Sequence, residues 1–438
     1  MGCMMKRHFQ IVLMGLGSLF LLAACSTPTA QSAANEIIRP EGQEVIVWHP
    51  YDGAAREALL QQIDEFNAVN PWRIVVVPEY HGAAEDLGRD LAAAAQAGAM
   101  PELAIRAPAE VWSLGAAVVP MQTYVDDARF GLTEDDLADL FPAMLDIARD
   151  PKLKTIIGLP LGGEGVVLVS NSDRLAAHNY FEPPSSWPLF REVCQAITRD
   201  TTNDGQPDVF GFGFNPRADF ATAWLNSRGG SIISDDGTRA SFNAAEGVNT
   251  LRTLQETASS GCFYRTTDED MIREFARGKV GLIFAQTTQL PEIFDAVEAR
   301  GGFRWSVAPV PYGRRDRTLT ISGPAWFMLR STPQRQLAAW LFVRWFSETP
   351  QTVRWSQLTG LLPLRQSAAQ GLAAEFSLNA GLKVAFDLLT VARAQPDVPQ
   401  WDSIAELLIH AVNAAVDGND PERLLNEAAQ AADALLNQ

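Results

Sequence analysis

The chain has 438 residues, 47% of them hydrophobic, a formal net charge of −17 and four cysteines. Such a length supports a large core and more than one domain. So acidic a chain is a poor partner for nucleic acid or for binding along an anionic bilayer.

Lys6 and Arg7 precede an apolar run, 11–22, that is too short to span a bilayer comfortably, so residues 1–24 read as a signal peptide. Leu22-Ala23-Ala24-Cys25 resembles the bacterial lipobox, where the leader is cut before a cysteine whose thiol receives a diacylglycerol. A lipidated Cys25 is expected to hold the mature chain on the outside of a membrane, as an anchor and not a span. Loss of Lys6 and Arg7 makes the body still more acidic. Of its cysteines, Cys194 and Cys262 are left as two thiols or one disulfide, which spacing does not decide.

Residues 25–43, rich in Ser, Thr, Ala, Gln and Pro, have the composition of a flexible linker. A buried strand follows at 44–48, then a helix with Leu59, Leu60, Ile63 and Phe66 on one stripe, stopped by Asn70-Pro71. A second strand at 73–77, a helix over about 85–96, a stop at Gly98 and a third strand at 102–105 complete a β-α-β-α-β pattern. That alternation predicts α/β architecture with a parallel, doubly wound sheet. In such sheets ligands sit beyond the carboxyl ends of the strands. Those ends carry His49-Pro-Tyr51-Asp52, Glu79-Tyr80 and Arg106-Ala-Pro108.

No GxSxG, HExxH, Walker A or GxGxxG motif is found in a supporting context, and the five histidines are scattered. A paired-carboxylate hydrolase needs no sequence signature and stays open as the enzymatic alternative. The stretch from Asp200 through Asp204-Gly205 to Asp208 has some features of a calcium loop. Thr202 is a poor third ligand, and Gly211 stands where a bidentate Glu belongs, so a polar turn is expected and no cofactor or metal is assigned.

"VIVWHPYDGAAREALLQQIDEFNAVNP", "AAAAQAGAMPELAI", "IIGLPLGGEGVVLVSNSDRL", "REFARGKVGLIF", "VAPVPYG", "ISGPAWFML" and "QLAAWLFVRWFSETPQTVRWSQLTGLLPLRQSA" follow one another in the chain. In that order they resemble the family 1 extracellular solute-binding proteins of bacterial ABC importers, which include maltose, multiple-sugar and glycerol-phosphate receptors. The resemblance runs from Glu44 to the end. It implies a two-lobed periplasmic-binding-protein fold of type II, each lobe discontinuous: 44–163 with 285–325 as lobe 1, and 164–284 with 326–438 as lobe 2. Crossings are expected near 162–165, 284–286 and 325–327. It further implies a monomeric receptor without enzymatic activity that closes on a small polar solute and hands it to permease subunits. A sensory receptor is the third class.

By the same resemblance, ligand contacts are expected from Tyr51 and Asp52 at the first strand's end, Arg106 at the third's, Glu164 among glycines at the first crossing, and Gln286 and Thr287 at the second. Asp52 serves equally as a helix N-cap. Gly323 is placed where backbone approaches ligand, and Trp224 and Trp401 supply candidate aromatic faces. Trp187, Trp340 and Trp345 read as structural, and Trp326 faces core or cleft. The sequence resembles the glycerol-phosphate receptors in particular, but Asp402 stands where they carry an arginine, Leu361 replaces a ligand tyrosine, and Ala84 falls at another. A ligand glutamate of theirs falls near Pro108. Arg106 is free to pair with Asp52 or Glu164. An anionic solute is therefore disfavoured: an uncharged sugar or polyol ranks first, a cationic headgroup second and a phosphate ester last, with a glycerol-phosphate or glycerophosphodiester receptor as the alternative.

Overall fold

The computed structural model describes residues 38–313, 317–396 and 398–437. The signal peptide, the lipobox with Cys25 and most of the linker lie outside these residues. In chain order the strands are β1 (Glu44–His49), β2 (Val75–Tyr80), β3 (Leu103–Arg106), β4 (Val118–Val119), β5 (Gly158–Pro160) and β6 (Glu164–Asn171). They continue with β7 (Phe210–Phe214), β8 (Phe263–Arg265), β9 (Val280–Gln286), β10 (Trp305–Pro309), β11 (Leu319–Ser322), β12 (Ala325–Leu329) and β13 (Ala392–Ala394).

Two sheets organise them. The first has the order β2-β1-β3-β12-β4, with β5 also on β12. Its β1, β2 and β3 are parallel, and β12 enters antiparallel to β3. The β-α-β-α-β reading is thus the nucleus of this lobe. Val45 and Val47 are fully buried, and Leu59, Ile63 and Phe66 of the helix Gly53–Val69 pack under them. Leu60 is only half-buried, and Ala58 and Gln62 complete the stripe. Asn70 ends this helix as expected: its side chain accepts from the Ile74 N–H and donates to the Phe66 carbonyl. Gly98 closes the helix Ala84–Ala97 in the left-handed region at φ 69°, a conformation cheap only for glycine.

The second sheet has the order β13-β11-β6-β9-β7-β8, with β10 on the remaining part of β6. Its aromatic core gathers Trp187, Phe190, Phe212 and Phe284, with the ring centroids of Trp187 and Phe284 5.5 to 6.3 Å from those of their neighbours. Cys194, on the helix Trp187–Ile197, is joined to Cys262 by a disulfide across 68 positions.

Strand pairing corrects the expected division of the chain. Residues 285–322 stay with the second sheet, because β10 and β11 both pair antiparallel with β6. No crossing occurs at 284–286, since β9 lies between β6 and β7. Residues 325–346 belong to the first lobe: β12 pairs β3, and the helix Pro333–Phe346 packs on β1 and β12. The chain crosses at 161–163 and at Gly323-Pro324, and again between the helix Thr349–Thr359 of lobe 1 and the helix Ala380–Leu388, which packs on β10 of lobe 2. These crossings touch. Gly163 exchanges backbone hydrogen bonds with Leu362. A Cβ at Gly323 would lie 2.4 Å from the Gly162 carbonyl, which only glycine avoids.

Among the tryptophans, Trp326 is buried between Phe342 and Phe346, which settles its core role. Trp187 and Trp340 are buried too, and their indoles donate to Ser227 Oγ and the Phe130 carbonyl. In the 200–208 loop, Asp200 accepts from the N–H groups of Asn203 and Gly205, and Asp208 from those of Thr201 and Thr202. These carboxylates are turned onto their own backbone.

A candidate ligand cleft between the lobes

A cavity of about 370 Å³ lies where the lobes meet, within the range usual for small-molecule sites. Lobe 1 contributes the segment 107–110 that follows β3, whose Pro108 and Glu110 face the space. Lobe 2 contributes Ser322, Gln395 and the first two residues of the helix Trp401–Val416. Glu164 and Gly323 enter from the crossings. The expected residues Glu164, Gly323, Trp401 and Asp402 are therefore brought together.

Glu164 starts β6. Its two carboxylate oxygens accept from Gln286 Nε2 at 2.9 Å and Thr288 Oγ1 at 2.7 Å. Burial, with the charge of Asp219 added, pushes its carboxyl above the usual range, against the hydrogen bonds and Arg217. Gln286 thus positions Glu164 and does not line the cavity. Thr287 is buried and accepts the Gly165 N–H at 3.0 Å, so it pins the crossing, while its neighbour Thr288 is the one that reaches the carboxylate.

Arg106 pairs with neither expected partner. It lies 3.0 Å from Glu110 Oε2 and donates to the Ala84 carbonyl. Glu110 is held above the ordinary carboxyl range chiefly by burial, opposed by Arg106 and reinforced by the charges of Asp402 and Glu85. Arg217, whose charge acts on Glu164, is engaged by Asp219 at 3.0 Å and Asp268 at 2.9 Å. Among the described residues, every charged one that lines the cavity is a carboxylate: Glu110, Glu164 and Asp402.

Other expectations are corrected. Trp224 is fully buried in lobe 2, 5.6 Å from the Phe284 ring, and faces no cleft. Asp52 is exposed and precedes the helix Gly53–Val69 without capping it through its side chain. Tyr51 lies at the end of β1 with its ring 5.7 Å from Trp355; burial and the Glu164 charge push its phenol upward. It does not line the cavity. Glu110, Thr288, Ser322 and Gln395 were not identified from the sequence. Glu110 had a signal, since it stands two residues beyond Pro108 in Pro-Ala-Glu.

A family model described as bacterial extracellular solute-binding protein matches residues 61–383. A binding protein of Brucella abortus is 22% identical over 290 residues, 64% of this chain and 68% of its own. Among solved structures, the cyclic α-maltosyl-1,6-maltose binding protein of Arthrobacter globiformis superposes with a TM-score of 0.77 at 21% identity, covering 90% of this chain and 98% of that one. The sugar-binding protein MalE of Xanthomonas citri gives 0.76 at 20%, covering 90% and 98%. UgpB of Mycobacterium tuberculosis, in complex with glycerophosphocholine, gives 0.71 at 16%, covering 90% and 98%.

Proposed function

The chain belongs to the bacterial extracellular solute-binding proteins, and from that premise we propose that it is a lipid-anchored receptor that closes its lobes on a polyhydroxylated solute without an anionic group and delivers it to ABC permease subunits. Sugars and polyols are the class meant. The observation that carries this reading is the cavity itself: it joins both lobes, its lining charges among the described residues are all carboxylates, and the adjacent Arg106 is already paired. A phosphate ester placed there would meet repulsion, with no cation among the described residues that line the cavity to compensate. Hydroxyl groups, by contrast, are donors that carboxylates and the Gln395 amide accept.

Calorimetric titration with maltose, trehalose, glycerol, glycerophosphocholine and glycerol-3-phosphate tests the order. Binding is expected from the uncharged members, maltose, trehalose or glycerol, ahead of glycerophosphocholine, whose phosphodiester is anionic, and not from glycerol-3-phosphate. Micromolar binding of glycerol-3-phosphate that Arg106→Ala abolishes would overturn it. Anchoring rests on the lipobox, and Cys25→Ser is expected to move the protein from the membrane fraction to the soluble one. Among the described residues no helix is long and apolar enough to cross a membrane. A serine variant that has lost its leader and still stays in the membrane fraction would count against lipidation.

A further inference from the structure

The three carboxylates of the cavity are not equally engaged. Glu164 already accepts from Gln286 and Thr288, and Glu110 is paired with Arg106. Asp402 is exposed and makes no hydrogen bond or ion pair among the described residues. Its charge acts on Glu110, so like charges from opposite lobes look into one space. Beside it Trp401 is only 7% exposed, lines the same cavity, and has an indole N–H without a partner among the described residues. An aromatic surface and a spare donor therefore accompany the free acid.

We propose that the solute carries a protonated amine on its polyhydroxylated skeleton, seated against Asp402 with Glu110 across the cleft and Trp401 at its side, an inference that rests on the receptor reading above. Such a cation is stabilised by both carboxylates only when the lobes are together, which is the differential affinity that closure requires. A neutral solute leaves the cross-cleft repulsion in place. The indole face adds a cation–π contact, and hydroxyl groups of the skeleton satisfy the indole N–H.

Matched probes test the proposal on the intact protein: glucosamine, glucose and N-acetylglucosamine, and the disaccharides di-glucosamine, cellobiose and diacetylchitobiose, each by calorimetry. In parallel, mass spectrometry identifies any solute retained after incubation with a nutrient extract. An amine probe is expected to bind at least about tenfold tighter than its neutral analogues, an advantage that shrinks with salt and is lost in Asp402→Asn with an unchanged melting curve. A retained solute with a basic nitrogen supports the proposal equally if no panel member binds. Neutral analogues that bind as well as the amine, or a retained solute lacking a basic nitrogen, overturn the amine and leave the receptor reading standing. Neither a bound probe nor a retained solute overturns both.

Discussion

His49 ends β1 fully buried, beside Tyr51 and Tyr80, and burial together with Arg56 and His81 lowers its imidazole to about 4. The unfolded chain titrates this group near its ordinary value of about 6.5. Between those values the unfolded state binds a proton that the folded state refuses, so stability falls as pH drops from about 6.5 to about 4, by up to about 3 kcal/mol. Denaturant unfolding across that interval is expected to show the slope in the wild type and to lose part of it in His49→Asn; identical slopes would remove His49 as its source. At this scale legibility was uneven. Glu164 stood out because the glycines around it leave a charged group uncovered, and Asp402 because of its register after Pro399-Gln400. Trp224 was misplaced because its position was carried over from the resemblance to glycerol-phosphate receptors, and a shared residue type does not say which face of its helix meets the cleft. Thr288 and Gln395 gave no signal, since a side chain recruited by folding needs no particular neighbour in sequence.

The helix Trp187–Ile197 and the start of β8 are tied by Cys194–Cys262 within the second lobe. Closing a loop of 68 positions removes denatured-state entropy worth about 4 kcal/mol in the chain-entropy model. Replacing both cysteines with serine is therefore expected to lower the calorimetric melting of lobe 2 more than that of lobe 1, splitting a shared transition or widening the gap between two; an unchanged thermogram would rule the bridge out as a stabiliser. The local elements β1 to β3 were readable because periodicity, Asn70 and Gly98 all agree there. Long-range partners were not. β12 is as apolar as a second-lobe strand would be, and nothing in Ala325–Leu329 says that it pairs with β3. Likewise β9 runs on smoothly to Gln286, so the expected crossing there had only small residues to suggest it. The crossing at Glu164 was legible because Gly162, Gly163 and Gly165 report close approach: a Cβ at these positions would come within 3 Å of the Leu362 carbonyl, the Met144 side chain and the Leu319 side chain respectively.

At the scale of the whole molecule, three chain crossings hold the lobes while most of the cavity wall is split between them. Lobe 1 contributes Glu110 and lobe 2 contributes Trp401 and Asp402, so a solute that touches all three gains contacts in the closed state that the open state cannot offer. Two of the crossings are short, and all three pack on one another at Gly163, Gly323 and Leu362, so a closing motion is expected to be a rotation about that contact that leaves each sheet intact. Neither β6 nor β12 needs to break a pairing for the lobes to move. Small-angle scattering is expected to show a smaller radius of gyration with a calorimetrically identified solute than without it. The melting temperature is expected to rise with free solute concentration as RT ln(1 + [L]/Kd) requires. Trp401→Ala removes a nearly buried aromatic wall and is expected to weaken both effects together, by roughly ten- to a hundredfold in concentration. A solute that raises the melting temperature while the radius of gyration stays constant would show binding to a preformed closed cleft, and closure would then have no part in recognition.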